Sequence, residues 1–206
     1  MTISKLAEYI LHQFSNQGEG GITPMKLQKL LFYVKAWGLV AGKKLVTADF
    51  KKWEYGPVNK FIYDQYKHHK SGPIPVPEHV VESPKDDDKQ LIDFIVENYV
   101  GFHAYALSSM THNETPWLET QQNDVISDEK ILAYYQNQWF AQNFPLDDNK
   151  PFYPVMSDIE YSFIFDMNDT DAKESMKFPS YEAYKKLKAE TQKDLNVGKN
   201  DWLNGI

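Results

Sequence analysis

The stretch Thr23–Gly42 constrains the fold more than any other part of this chain. Thr23 is a strong N-cap residue, and Pro24 takes the first helical position, where its missing N–H is no loss. Ile22 is placed to staple onto Leu27. Leu27, Leu30, Leu31, Val34 and Ala41 recur at helical spacing, and Phe32 and Trp37 widen the stripe until Gly42 ends it. A helix this apolar must be surrounded. The spacing therefore predicts a mainly α fold, a compact helical bundle around a central helix at about 24–41. Lys26, Lys29 and Lys35 are expected around the rim of that helix.

The neighbouring elements follow the same logic. Ile3, Leu6, Tyr9, Ile10 and Phe14 predict a first helix over 3–14. Thr47 is read as capping a short turn, ADFKKW, and helix is expected to resume near Val58 and run to about Lys67. Three alternating prolines, Pro73, Pro75 and Pro77, make an extended connector. Asp86, Asp87 and Asp88 suit the positive end of the next helix better than a metal loop, which would need spaced ligands and a distal glutamate. AYALSSM, TPWLET and a helix capped by Ser127 and reaching about Phe140 complete a helical domain over 1–140. Residues 141–206 read as an extension packed on it. Asp158–Asp166 alternates Ile159, Tyr161, Phe163 and Phe165 with Glu160, Ser162 and Ile164, so a minor β element is allowed there. Ser180 is placed to cap a last, surface-lying helix.

Composition excludes several function classes. Of the 206 residues, 42% are hydrophobic and 15% aromatic, enough for a real core. There is no cysteine, which removes disulfide scaffolds, cysteine nucleophiles and zinc fingers, and fits a cytoplasmic protein. No apolar run reaches the 18 or so residues of a membrane span. All 22 basic residues are lysine, so the usual reader of guanine edges is missing. The lysines of the first 70 residues do not line up as a stripe, and the chain carries net charge −7, so direct nucleic-acid contact is not expected. The front is basic and the back acidic. That split fits two binding surfaces or two halves that neutralise each other.

No catalytic constellation stands out. There is no HExxH, no phosphate-binding glycine loop and no GxSxG. His112-Asn113-Glu114 has the H-x-E spacing of zinc deaminases but lacks their cysteine half. We expect no enzyme, no cofactor and no metal ligands.

Three linked motifs carry a resemblance. Met25–Trp37, MKLQKLLFYVKAW, resembles the LQKLLYYaqaW helix of the Panacea domain, the SocA-like antitoxin family. Trp53-Glu54-Tyr55-Gly56-Pro57-Val58 is similar to its W-x-yGPV turn. Leu107–His112 with Pro116-Trp117 is similar to its Ls-x-x-tH…pW segment. The resemblance covers about residues 3–140. It marks Leu27, Lys29, Leu30, Trp37, Trp53, Tyr55, Gly56, Pro57, Thr111, His112 and Trp117 as family-motif positions, structural or partner-binding. Gly56-Pro57 suits a tight turn and the three tryptophans suit a core, while His112 suits a hydrogen bond to a neighbouring loop.

The resemblance implies an antitoxin of a bacterial or phage toxin–antitoxin system. It would neutralise a cognate protein toxin by direct contact; some members deliver the toxin to a protease, which makes a protease the second partner that the resemblance allows. The alternative is a phage or mobile-element protein that binds nucleic acid or a replication protein through the basic N-terminal half. The tail is acidic and aromatic and departs from the family pattern. Tyr161, Phe163, Phe165, Tyr181 and Tyr184 are therefore the candidate toxin-binding residues.

Overall fold

A computed structural model describes residues 1–17, 20–155 and 177–191. The chain divides into two compact units, Met1–Ala141 and Gln142–Ile206. It is mainly helical, with a small two-stranded antiparallel sheet.

In the first unit, α1 (Ile3–Phe14) starts at Thr2, whose hydroxyl accepts the Lys5 N–H. α2 (Pro24–Val40) starts at Thr23, which accepts from Lys26 N–H, with Pro24 inside the first turn as expected. Every residue from Lys26 to Gly38 is buried, because α1, α3 (Lys60–Tyr66), α4 (Asp86–Tyr99), α5 (Ala104–Asn113) and α7 (Asp128–Tyr135) all pack on it. Leu27, Leu30, Leu31 and Val34 are wholly inaccessible. Farther along α2, Tyr33 stacks on Tyr99 at 3.9 Å between ring centroids, and Trp37 meets Tyr135 and Phe140 at 4.9 and 4.8 Å. Such aromatic pairs add roughly 0.5–1.5 kcal/mol each beyond area burial.

Three sequence expectations need correction. The lysines of α2 do not ring the rim: Lys26, Lys29 and Lys35 are all buried. A helix enclosed on every side leaves no rim to occupy. The turn expected at ADFKKW is the start of a hairpin, β1 (Lys51–Trp53) and β2 (Gly56–Val58), paired Lys51↔Val58, Lys52↔Pro57 and Trp53↔Gly56. Helix then begins at Lys60 and not near Val58, because Asn59 caps it by accepting the Ile62 N–H. The β element of the described residues thus lies in the first unit. The strand expected at Asp158–Asp166 falls outside the described residues.

The remaining elements follow the sequence except at the end of the last helix of this unit. Asp86, Asp87 and Asp88 occupy the first turn of α4, where carboxylates complement the exposed N–H groups. α6 (Thr115–Leu118) is a single turn with Pro116 at its start. Ser127 caps α7 by accepting from Lys130 N–H, and a 3-10 turn at Trp139–Asn143 replaces the helix expected to about Phe140. No helix among the described residues is long and apolar enough to cross a membrane.

In the second unit, Phe152 and Phe178 form an antiparallel bridge. Residues 181–191 are helical (α8), and Ser180 Oγ accepts the Ala183 N–H at 3.2 Å, as the cap placement predicts.

Candidate functional site

The three motif segments meet at the β1–β2 hairpin. Its two-residue turn, Glu54-Tyr55, would leave carbonyls facing the interior, and each is met by a motif side chain. Trp117 Nε1 donates to the Trp53 carbonyl at 3.1 Å, and His112 Nε2 lies 2.7 Å from the Glu54 carbonyl. A carbonyl only accepts, so the proton of His112 sits on Nε2. Ser108 Oγ donates to the Tyr55 carbonyl at 3.0 Å, and Lys29 Nζ donates to the Pro57 carbonyl at 3.1 Å. The outer edge of β1 is also engaged: Lys52 N–H donates to Asp124 O at 3.0 Å, and Asn123 N–H to Lys52 O at 2.9 Å.

Gly56 makes this convergence geometrically feasible. Its φ is +97°, where an L side chain is strained. A Cβ placed there would sit 2.5 Å from Thr111 Oγ1 and 2.6 Å from Lys29 Nζ. Thr111 Oγ1 in turn donates to Ser108 O at 2.8 Å. The hairpin therefore lies directly against α2 and α5, and no residue with a side chain fits between them.

Lys29 is 0% exposed. Desolvation pushes its ammonium down to about 7, and the Glu114 carboxylate opposes part of that fall. Glu114 is itself buried and accepts hydrogen bonds from Tyr33 at 3.1 Å and from Tyr135. Trp37 Nε1 donates to Tyr99 OH at 2.8 Å. Burial, together with Glu114, holds the phenols of Tyr33, Tyr99 and Tyr135 well above their usual range. A polar network thus runs through the middle of an otherwise apolar bundle.

The placement of the motif residues separates by role. Leu27, Leu30 and Trp37 are core. Gly56, Pro57 and Thr111 are buried in the hairpin seat. Trp53, His112 and Trp117 are half-buried, so only Trp37 of the three tryptophans is a true core residue. His112 makes the loop hydrogen bond expected of it and packs edge-on to Trp117 at 4.2 Å. Tyr55 is 56% exposed, with only its backbone fixed.

Sequence reasoning missed Glu114 and Ser108 as individual residues. The signal for Glu114 was hidden by the rim assignment of Lys29: a lysine enclosed in an apolar helix calls for a buried carboxylate, and its enclosure shows only in the fold. The H-x-E spacing has a different meaning here. His112 points to the hairpin and Glu114 to the tyrosines. Among the described residues no group of three His, Asp or Glu side chains converges as a metal site.

A pocket of about 630 Å³ opens beside the hairpin. Gln28, Lys29, Trp53, Tyr55, Tyr63 and Lys67 are among its walls. The Gln28 amide is committed to Asn59, donating to its carbonyl at 3.1 Å and accepting its N–H at 2.8 Å.

The segment that carries these side chains also matches a known family. Residues 27–118 match the family model of the antitoxin SocA-like, Panacea domain. The match runs from the first leucine of the α2 motif to the end of α6, and so takes in all three motifs. It is shorter than the 3–140 span of the resemblance and just under half the chain. No curated protein and no solved structure matches the chain. Within residues 27–118, Gly56, Lys29, Ser108, His112 and Trp117 together seat the hairpin.

Of the candidate toxin-binding residues, Tyr161, Phe163 and Phe165 lie outside the described residues. Tyr181 and Tyr184 are half-buried against Phe152, at 4.8 and 4.7 Å between ring centroids. Each is also near a lysine, Lys185 at 4.8 Å and Lys188 at 5.8 Å from the respective ring centre.

Proposed function

We propose that this protein is an antitoxin that neutralises a cognate protein toxin by direct contact. The observation that carries the reading is the Panacea match over residues 27–118, a family whose model is described as antitoxin SocA-like. The construction of the segment supports it. The motif side chains are consumed in holding the hairpin, and a preorganised backbone is what a binding surface needs to limit the entropy lost on association. The acidic, aromatic tail is the part read as choosing the toxin. Tyr181 and Tyr184, with Tyr161, Phe163 and Phe165, would supply its anchors, since aromatic residues dominate interface energetics. Acidic residues around them would steer a basic, nucleic-acid-directed toxin.

Burial of Lys26, Lys29 and Lys35 weighs against the alternative reading through nucleic acid. It removes three cations from the surface of the basic half, where counterion release would have to occur.

Co-expression with the product of the adjacent reading frame tests the proposal. Rescue of growth with co-purification of the two chains is the expected result. Toxicity undiminished by the full-length protein would reject it.

A further inference from the structure

The pocket beside the hairpin is not used by the tail-centred reading of toxin choice, and it has the make-up of a binding site. Its volume, about 630 Å³, falls within the range of sites that receive a ligand or a partner's side chains. Its apolar wall is aromatic. Tyr63 is 38% exposed and meets Trp53 edge-on at 4.9 Å, and Tyr55 stands open on the hairpin tip. Exposed aromatics around a concavity are the side chains that most often anchor partners. The backbone beneath them is already fixed by Trp117, His112, Ser108 and Lys29, so little ordering remains to oppose binding.

The charge of the rim narrows the partner. Lys67 and Lys70 line the pocket. Asp64 is shared between Lys60 and Lys67, so one carboxylate faces two ammonium groups. Lys70 has no ion-pair partner among the described residues, and Glu54 is the one acidic residue in the lining. The rim thus has positive charge in excess, with aromatic faces beside it.

We propose that this pocket binds an acidic peptide segment of a protein partner. An aromatic or large aliphatic side chain of the segment enters between Tyr55, Trp53 and Tyr63, and its flanking carboxylates meet Lys67 and Lys70. The proposal does not rest on the antitoxin reading, because it concerns residues 24–70 and 122–123 and needs no toxin. Single-stranded nucleic acid could also meet lysines and aromatics. Its usual seat is a cationic groove that tracks the backbone over several nucleotides, whereas this is a single concavity with Lys67 and Lys70 on its rim.

The test is fluorescence anisotropy with the full chain and three labelled probes: a decapeptide of Asp and Glu around a central Phe-Leu pair, the same peptide with Lys for every acid, and a ten-nucleotide oligo-dT. The acidic peptide is expected to bind at least ten-fold more tightly than the basic one, with oligo-dT no better than the basic peptide. Lys70→Glu and, separately, Tyr63→Ala should each weaken the acidic peptide at least five-fold while circular dichroism stays that of the parent. Lys5→Glu, on α1 away from the pocket lining, should change nothing. Equal binding of acidic and basic peptides, no binding of either, preference for oligo-dT, or insensitivity to both pocket variants would each overturn the proposal. Should Tyr63→Ala lose structure, Lys70→Glu alone decides, because that side chain is exposed and carries no core contact.

Discussion

The units Met1–Ala141 and Gln142–Ile206 bury their aromatic residues in different ways. In the first, rings sit inside a closed shell of helices: Phe32, Tyr33, Trp37, Tyr99 and Tyr135 are inaccessible or nearly so, and their hydroxyl and indole groups are answered by one another and by Glu114. In the second, among the described residues, Phe152 is the buried ring, and Tyr181 and Tyr184 cover it while remaining half-exposed. A ring answered on every side contributes packing and conformational uniqueness. The difference places enclosed aromatic packing in the first unit and half-exposed rings in the second, while Tyr55 and Tyr63 stand exposed beside the hairpin of the first.

The largest effect that could break this contrast is at Gly56. Gly56→Ala combines a backbone angle of +97° with displacement of Thr111 and Lys29. Backbone strain of about 1–3 kcal/mol and overpacking of similar size predict a loss of about 3–6 kcal/mol in denaturant unfolding. A loss below about 1 kcal/mol would mean that the hairpin can move away from α2 and α5 without cost. Leu31→Ala follows, with an expected loss of about 2–5 kcal/mol from lost transfer energy and the cavity left behind. A loss below about 1 kcal/mol would place the core elsewhere.

How much of this was legible in the sequence follows from the same residues. α1, α2 and the caps at Thr23, Ser127 and Ser180 were readable because each depends on neighbours within four residues. The hairpin was not. Three-residue strands reading Lys-Lys-Trp and Gly-Pro-Val carry no alternation, and the turn is held by Ser108, His112 and Trp117, more than fifty residues away. The lysines of α2 were assigned to a rim because a helical projection shows faces but not how many neighbours enclose them. The motifs pointed to the family model that residues 27–118 match and to the residues that seat the hairpin. They did not reveal that the same residues leave a lined pocket beside it, which forms only when residues 122–123 and α3 are brought to α2.

The enclosed polar network predicts a pH profile of intermediate size. Lys29 titrates at about 7 in the folded chain and near its ordinary value when unfolded. Between those values the unfolded state binds more protons, so stability should rise as pH increases from about 7 towards 10. The gain is on the order of 2–4 kcal/mol, less than the full shift would give because interiors relax around a buried ion. Above about 10 the sign reverses. Tyr33, Tyr99 and Tyr135 hold their protons in the fold and lose them when unfolded, so stability falls. Lys29→Met should abolish most of the rise and leave the alkaline fall. A flat profile in the parent would show that Lys29 keeps an ordinary affinity for its proton.

The smallest effect on stability is expected from removing the second unit, and this sharpens the comparison most. A chain ending at Gln142 retains α1 to α7, the hairpin and Phe140, whose ring stacks on Phe94 at 5.4 Å and so belongs to the first unit's core. The buried residues named above for that unit all precede Gln142, so the shortened chain should keep a helical circular-dichroism spectrum and a single cooperative unfolding transition. The functional consequence is separate. If the shortened chain stays folded by circular dichroism yet no longer protects cells from the adjacent gene product, the half-exposed rings of the tail are the toxin-choosing surface. If it stays folded and protects as well as the full chain, toxin choice resides in the first unit, and the aromatic rim beside the hairpin becomes its natural seat. If it unfolds, the contrast drawn between a self-sufficient core and a separate aromatic cluster is wrong at its base.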